Sequence, residues 1–316
     1  MNNSKLMKQS SFILREYGIL IAFIAVFAIL SSLSPAFLTI RNMLNVLDQS
    51  TQVGLVALGA TLTIIAGGFD LSSGAIFAIS GTTAAFIAVR GYPVLGLIVG
   101  VLVGVILGIV NGTLITKLRL NSFVSTLASG LIIRGFAFVI TGGLLIQVDS
   151  QLFEFLGRGR LLGAKVPVYF FFGFALLGWI FLSHTTIGRY IFAIGGNEEA
   201  ARLSGVRTQL VRILTFSISG LCAGMAGVIA ASRISTGQAN VGTGIELNAI
   251  AAVVIGGTSI LGGEGAIWRT LVGVLLLQLI SNGFNILNVP PFYQVIFQGC
   301  VIMFAITLDA LRHRTS

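Results

Sequence analysis

Long apolar segments alternate with short polar ones along almost the whole chain. Each apolar segment is close to 20 residues long, enough for a helix to cross a bilayer core of roughly 30 Å. A transmembrane barrel would instead show alternating segments of about 10 residues. The pattern predicts an all-α integral membrane protein with about ten transmembrane helices. The predicted spans are 17–34, 43–66, 71–89, 94–115, 121–141, 166–183, 209–232, 246–262, 266–287 and 292–310.

Composition supports this class, because 55% of the 316 residues are hydrophobic and only 9% are charged. An average soluble chain is about a quarter charged. Two spans depart from the simple pattern. The second reaches full length only if it includes Asp48, Gln49 and Gln52, and the eighth is short and ends in a glycine cluster.

The distribution of Lys and Arg predicts the orientation, since cytoplasmic loops carry the excess of both. With the N-terminus inside, eleven basic residues fall inside and six outside. The inside set is Lys5, Lys8, Arg15, Lys117, Arg119, Arg189, Arg202, Arg207, Arg212, Arg312 and Arg314. The outside set is Arg41, Arg90, Arg158, Arg160, Lys165 and Arg233. We therefore expect a cytoplasmic N-terminal segment (1–16), a membrane domain (17–310) and a cytoplasmic tail (311–316), with the 184–208 loop inside and the 142–165 loop outside.

The same bias explains the net charge of +9, so we expect lipid contact and no nucleic-acid partner. No enzyme motif is present. None of the four Lys follows a Gly or precedes Ser or Thr, which excludes a phosphate-binding P-loop in this chain. The two His lie near span ends and do not form a paired metal site. The sequence predicts no catalytic residues, no metal site and no cofactor of its own.

One compact polar segment interrupts the apolar pattern, "GRYIFAIGGNEEAARLSGV" at 188–206. Asn197 is a favourable helix N-cap, and the two carboxylates that follow suit the positive end of a helix dipole. Gly205 suits the left-handed position that ends a helix. The predicted short helix and its caps comprise Asn197, Glu198, Glu199, Ala200, Ala201 and Gly205. An ordinary cytoplasmic loop would need the Arg residues but not this cap, the paired Glu or the final Gly.

Within this segment, "EAARLSG" resembles the E-A-A-x-x-x-G loop by which permeases of ABC importers dock on their ATPase. The chain is similar to the monosaccharide permeases of the ribose-type branch, and branched-chain amino-acid permeases are a poorer match. The stretches that carry the resemblance are "SPAFLTIRNMLNVL" at 34–47, "GGFDLSSG" at 67–74, "NGTLITKLRLNSFVSTL" at 111–127 and "GTGIELNAIAAVVIGGTSILGGEGAI" at 242–267.

The resemblance implies a type II ABC importer-like permease subunit in a bacterial cytoplasmic (inner) membrane. It implies three partners: a second permease subunit, identical or not; two ATPase domains or a fused tandem ATPase, which hold ATP and Mg²⁺; and a periplasmic or extracellular sugar-binding protein. By the same resemblance the 184–208 loop is the coupling element. Ribose is the first expectation for the sugar, and other pentoses, hexoses and a sugar-like signalling molecule stay open.

Polar stripes inside the spans are candidates for the translocation pathway of a neutral polyhydroxylated solute. Side chains at i, i+4 and i+7 share one helix face. Two such stripes are Asn45, Gln49 and Gln52, and Gln278, Asn282 and Asn285; a third comprises Ser122, Ser125, Thr126 and Ser129. The alternative is that these groups bond neighbouring helices to one another.

A motif with glycines at 67–76, "GGFDLSSGAI", returns in longer form at 256–267 as "GGTSILGGEGAI". Glycine-interrupted segments in corresponding halves of a transporter mark its pathway, so Gly67, Gly68 and Asp70 are further candidates. An even number of spans separates the two copies, which gives them the same orientation and does not indicate an inverted repeat. Convergent glycine-rich turns are the alternative.

Arg134 is the most prominent charge inside a predicted span. Such a charge is expected to face protein or water, and a structural ion pair is favoured over direct substrate contact. Candidate partners for it or for Arg269 are Asp70, Glu246 and Glu264.

Three rival functions stay open. An ion-coupled secondary transporter would need a carboxylate deep in the membrane, whereas the acidic residues here cluster near span ends. A channel would work without an ATPase, and an intramembrane enzyme would need a nucleophile with a base, or a metal pair.

Overall fold

The computed structural model describes the backbone of residues 3–314 and the side chains of 17–300, Met303 and Thr307. Helices account for most of this part of the chain, with four two-residue strands. The helices are α1 (Asn3–Leu33), α2 (Ile40–Ile65), α3 (Ser73–Ala88), α4 (Pro93–Lys117), α5 (Ser122–Thr141), α6 (Gln151–Arg158), α7 (Val166–His184), α8 (Thr186–Gly196), α9 (Glu198–Leu203), α10 (Thr208–Ile234), α11 (Ile245–Ile255), α12 (Ile267–Ile286) and α13 (Pro291–Arg314). The strands are β1 (Ile146–Gln147), β2 (Arg160–Leu161), β3 (Ala164–Lys165) and β4 (Thr236–Gly237), with β1 antiparallel to β4 and β2 antiparallel to β3.

Each predicted span overlaps one helix, so the all-α prediction is confirmed. By length and composition, five helices among the described residues can cross a membrane: α4, α5, α7, α10 and α12. Helices α3 and α11 have 16 and 11 residues, fewer than the roughly 20 that a straight span needs. The count of ten spans therefore stays a prediction. The terminal side chains in 1–16 and 311–316, five of which enter the Lys/Arg count, lie outside the described residues.

Helix α10 forms the centre of the bundle. Two thirds (67%) of its most apolar stretch is buried, against 22% for α4 and for α5. Its neighbours include α2, α3 and α4. The outer faces of α4 and α5 are consequently open to lipid or to another subunit. Because α10 has 27 residues, it is about 40 Å long and separates two ends of the molecule. We refer to them as the α9 end and the β1 end.

The closest packing involves a glycine at every fourth position of α4, a pattern that we did not single out in the sequence. This spacing places all five glycines on one helix face, which is buried against α3 and α10. A Cβ atom on Gly104 would lie 2.8 Å from the Gly224 Cα, and one on Gly100 would lie 2.6 Å from the Ser80 carbonyl oxygen. Small residues permit such close approach of helix backbones in membranes. The row comprises Gly96, Gly100, Gly104, Gly108 and Gly112.

The predicted eighth span is only partly helical, and a non-helical connection precedes it. After α10 the chain pairs with β1 through β4 and then runs back along α3, where Gly237 lies beside Ala85 and Gly242 beside Phe77. Helix α11 begins at Ile245, close to the predicted start at 246, and ends at Ile255, short of the predicted end at 262. The connection before it consists mainly of turns, whose backbone groups need hydrogen-bond partners from the protein wherever lipid surrounds them, because lipid offers none.

Candidate functional site

Helix α9 has the caps predicted from its sequence. The Asn197 side-chain oxygen accepts a hydrogen bond from the Ala200 N–H at 2.9 Å, and Asn197 also ends α8. Gly205 has a φ of +87°, the left-handed conformation expected beyond a helix end. The helix itself is six residues long, Glu198–Leu203. The local structure of the segment is thus confirmed, while its role in coupling stays a prediction.

Two ion pairs hold the acidic side chains of α9. Glu199 Oε1 lies 2.6 Å from Arg202 Nη2, and Glu198 Oε2 lies 2.9 Å from Arg212 Nη2 on α10. The hydrogen bond from Arg202 is the main reason why the pKa of Glu199 is below its usual value. Between α9 and the adjoining ends of α4 and α10 lies an open, charged cleft of about 500 Å³, with Arg119 on its far wall. This cleft can accept charged and hydrogen-bonding groups from a partner.

The faces of α9 are unequal in exposure. Ala201 is buried and joins the main hydrophobic core of the protein. Ala200 is exposed, and Leu203 is 77% exposed. One side of the helix therefore anchors it, and the other presents an apolar surface to the surroundings.

Three Gly-Gly pairs, distant in sequence, meet beneath α9. They belong to the end of α8 (195–196) and to the two copies of the glycine motif (67–68 and 262–263). The Gly263 N–H donates to the Ile65 carbonyl at 2.9 Å, and a Cβ on Gly262 would lie 3.1 Å from the Gly67 backbone. Gly67, Gly262 and Gly263 all have φ between +73° and +90°, which favours glycine. The two glycine motifs lie on the same side of the bundle, as their predicted orientation requires.

Helix α8 connects the meeting point of the three Gly-Gly pairs to α9. We did not predict α8 as a separate helix. Thr185 caps α8 through the Gly188 N–H at 3.0 Å, and Ile191 and Ile194 are buried. The signal was present as a capping Thr followed by apolar residues at helical spacing. One residue, Asn197, joins the two helices, and α8 in turn contacts the end of α2 and the second glycine motif at 262–263.

Asp70 is buried in the first glycine motif. Its Oδ1 accepts hydrogen bonds from Ser72 N at 3.1 Å and Ser72 Oγ at 2.5 Å, and its Oδ2 accepts one from Ser219 Oγ at 2.7 Å. Asn111 Nδ2 in turn donates to Ser72 Oγ at 2.7 Å. These bonds tie the start of α3 to α4 and α10. A pathway role for Asp70 stays a prediction, and its carboxylate is enclosed in this arrangement.

The hydroxyl stripe of α5 holds the same loop. Ser122 Oγ accepts from the Phe69 N–H at 3.1 Å, and Thr126 Oγ1 accepts from the Leu71 N–H at 3.0 Å. Both bonds satisfy backbone groups ahead of α3. For these two residues the alternative interpretation, bonding between neighbouring segments, is therefore confirmed.

Arg134 satisfies main-chain acceptors in the turns between β4 and α11. Its Nη1 donates to the Ala239 carbonyl at 2.8 Å and is 3.4 Å from the Val241 carbonyl. The charge of Glu246, in the first turn of α11, also attracts it. Of the three candidate acidic partners, Glu246 is thus the one near Arg134, and Asp70 is enclosed by serines instead. Main-chain acceptors were not predicted, because the turns that supply them are more than a hundred residues from Arg134.

The amide stripes of α2 and α12 face each other. Gln278 Nε2 donates to Gln49 Oε1 at 2.7 Å, and Asn282 exchanges hydrogen bonds of 2.9 and 3.0 Å with Asn42. Of the other predicted members, Asn45 is exposed and Gln52 is half-buried on α2, while Asn285 accepts from Gln294 Nε2 at 3.1 Å. The structure brings the two stripes together, and their part in transport stays a prediction.

A pocket of about 150 Å³ adjoins these amides between α11, α12 and α13. The Gln298 side chain bonds to Asn248 across it, and Phe284 and Phe297 meet edge to face with centroids 5.2 Å apart. Gln294, Gln298 and Asn248 were not among the predicted residues. Their spans carry no regular polar stripe, so only the packing of three helices shows that they converge.

At the β1 end, Asp48 is held by two basic residues. Its Oδ2 lies 2.6 Å from Lys165 Nζ and is also paired with Arg233, and its side chain is 6% exposed. The cluster joins α2, β3 and the end of α10. From the sequence, Lys165 and Arg233 had served only to predict the orientation of the chain in the membrane. Their pairing explains how an acidic residue is tolerated within the second span.

The chain matches, over residues 42–306, the family described as "Branched-chain amino acid transport system / permease component". It belongs to this family. The permease is 40% identical over 301 residues to the ribose import permease protein of Escherichia coli (strain K12), with 94% of each chain covered. It is 44% identical to the ribose import permease protein of Bacillus subtilis (strain 168), covering 94% of the permease and 93% of the relative. It is 37% identical to the L-arabinose transport system permease protein of Escherichia coli (strain K12), with 95% and 92% covered. No solved structure matches it.

Family membership, together with the apolar helices, makes the permease a multi-pass membrane protein of a transport system. The resemblance that we inferred from the motifs is confirmed. The family name refers to branched-chain amino acids, whereas the relatives described above are sugar permeases. The roles of single residues stay predictions.

Proposed function

We propose that the permease is the membrane subunit of an ATP-driven importer of a monosaccharide, with ribose as the first candidate. The observation that carries the proposal is α9. Helix α9 is capped and partly exposed, and it carries the E-A-A-x-x-x-G pattern. The chain as a whole is 36–44% identical to ribose import permeases. ATP and Mg²⁺ belong to a separate ATPase, which docks on α9 and the adjoining cleft. A sugar-binding protein delivers the solute at the opposite, β1 end, and a second permease subunit completes the pathway.

The chemistry of the amide stripes supports a neutral solute. The groups that face one another across α2, α12 and α13 are uncharged amides, which suit hydroxyl groups as donors and acceptors. An ion-coupled secondary transporter, the alternative, would need a membrane carboxylate open to the pathway. Asp70 is buried, but its oxygens are engaged by two serines, so this site favours a structural role.

Damage to the end of α9 tests the coupling role. Gly205→Val places a Cβ in a left-handed backbone conformation, at a cost of about 1–2 kcal/mol, and changes how the chain leaves the helix. Glu199→Lys breaks the pair with Arg202 and puts a cation at the positive end of the helix. Each variant should abolish ATP-dependent ribose uptake while it still reaches the membrane at near-normal levels.

Gly91→Val is the matched control. Gly91 has a similar φ of +91°, and, as at Gly205, nothing lies within 4 Å of an added Cβ, but it lies in the loop between α3 and α4. The control therefore carries the same backbone strain away from α9 and should retain uptake. Wild-type uptake in both α9 variants would show that α9 is not the coupling element. Uptake without any ATPase would favour the secondary transporter.

A further inference from the structure

We propose that the pocket between α11, α12 and α13 is a transient binding site for the transported sugar within the permease. This inference rests on the proposed function. It deepens that function, because it assigns the place where the permease holds the sugar after the binding protein releases it at one side and before the sugar leaves at the other. The residues that carry it are Asn248 on α11, Gln278 and Ser281 on α12, Gln298 on α13, and the ring pair Phe284 and Phe297.

The first argument is the chemistry of the lining. Amides and one hydroxyl from three helices converge on a pocket whose other described lining residues are apolar, and none of these lining residues is charged. A few placed polar groups in an apolar cleft are typical of small-molecule sites. A neutral polyol needs both donors and acceptors, which each carboxamide supplies, whereas a zwitterionic amino acid would need charged partners.

The second argument is unused hydrogen-bonding capacity. A carboxamide can form up to four hydrogen bonds. Among the described residues, Gln278 bonds to Gln49, and Gln298 and Asn248 bond to each other, which uses one bond for each of them. Gln294, the fourth lining amide, is more fully engaged, with Ser281, Asn285 and the Val289 carbonyl. Groups that only joined helices would be expected to satisfy one another more fully. The remaining donors and acceptors of these amides are available to the hydroxyl groups of a solute.

The third argument is size and shape. The volume of about 150 Å³ is on the order of ten times the 10–15 Å³ that one water molecule requires on the same measure. A monosaccharide therefore fits without displacement of a helix. The edge-to-face arrangement of Phe284 and Phe297 offers apolar ring surface to the C–H face of a sugar, opposite the amides.

Two substitutions test the site in the complete transporter, reconstituted with its ATPase and binding protein in proteoliposomes. Gln298→Met keeps the length of the side chain and removes its hydrogen bonds, and Asn248→Leu does the same on α11. In each variant, loss of two neutral hydrogen bonds to the sugar should lower the rate of D-ribose uptake about tenfold. ATPase activity stimulated by the loaded binding protein should stay within about twofold of wild type, since α9 is untouched. Cys300→Met, on the same helix but exposed and outside the pocket, should change neither rate.

A direct measurement complements the rates. Ser281→Cys, in a background without the two native cysteines, should be alkylated by a small maleimide. D-ribose or L-arabinose should slow this reaction, and leucine should not. Unslowed alkylation together with normal uptake by Gln298→Met would overturn the binding site. A wild-type complex without binding-protein-stimulated ATPase activity would instead overturn the proposed function, so the two failures are distinguishable.

Discussion

The contact between α8 and α2 makes Gly195→Ala a sensitive test of how motion reaches the membrane helices. A Cβ on Gly195 would lie 2.9 Å from the carbonyl carbon of Ile65 and closer still to its oxygen. That oxygen is the acceptor for the Gly263 N–H. The added methyl group would therefore enter the space of a backbone hydrogen bond that links α2 to the second glycine motif.

The cost can be worked from two contributions. Overpacking of a close contact costs typically 1–3 kcal/mol, and loss of one backbone hydrogen bond costs about 0.5–1.5 kcal/mol. Together they amount to about 1.5–4.5 kcal/mol, a factor of roughly 10 to 2,000 in the balance between the packed and displaced positions of α8. We expect α8 to separate from α2, which would leave α9 able to bind the ATPase but unable to move the end of α2 and the second glycine motif.

Gly196→Ala is the control, because the neighbouring glycine is in the same helix and nothing lies within 4 Å of an added Cβ. Both substitutions gain the same helix propensity, so their difference isolates the contact. In proteoliposomes, Gly195→Ala should retain ATPase binding and lose at least about nine tenths of uptake, as the displacement factor implies. Gly196→Ala should transport normally. Equal uptake by the two variants would refute the reasoning that the glycine contact transmits the motion.

Three further predictions follow from the fold. Arg134→Leu should lower the amount of folded permease in the membrane, because the Ala239 carbonyl loses its donor; normal assembly with lost transport, measured by quantitative blotting and uptake, would instead indicate a direct pathway role. Gly104→Val should prevent α4 from packing on α10 and lower the midpoint of thermal unfolding, whereas Gly135→Val, with open space around it, should have little effect; equal midpoints would contradict the packing argument. Ala200→Cys, in a background without native cysteines, should resist a membrane-impermeant maleimide in intact cells and react in inverted vesicles, and labelling in intact cells would reverse the orientation.

Much of the architecture follows from local features of the sequence. Apolar length predicts the helices, because a buried or membrane helix must satisfy its own backbone. The caps of α9 are equally local, since Asn197 bonds to a residue three positions away and Gly205 needs only its own φ. The family resemblance is carried by short motifs and could also be found without coordinates.

Contacts between distant segments could not be predicted in this way. The connection at 235–244 has the composition of an ordinary loop, and the sequence does not show that two of its carbonyls accept hydrogen bonds from Arg134, more than a hundred residues away. The row of glycines in α4 can be interpreted as a close-packing face only when the structure shows that glycines of α10 lie opposite it. The same holds for Asp48, whose two cations come from separate segments.

The sequence by itself determined the class of protein, the positions of most helices, the α9 segment and two amide stripes. Only the tertiary structure decided that the stripes face each other, that three Gly-Gly pairs meet beneath α9, and that amides from α11, α12 and α13 surround one pocket. The physical reason is range. Helix periodicity and capping depend on neighbours within one or two turns, whereas a pocket or a close backbone contact depends on which helix faces come together, and that is set by packing over the whole bundle.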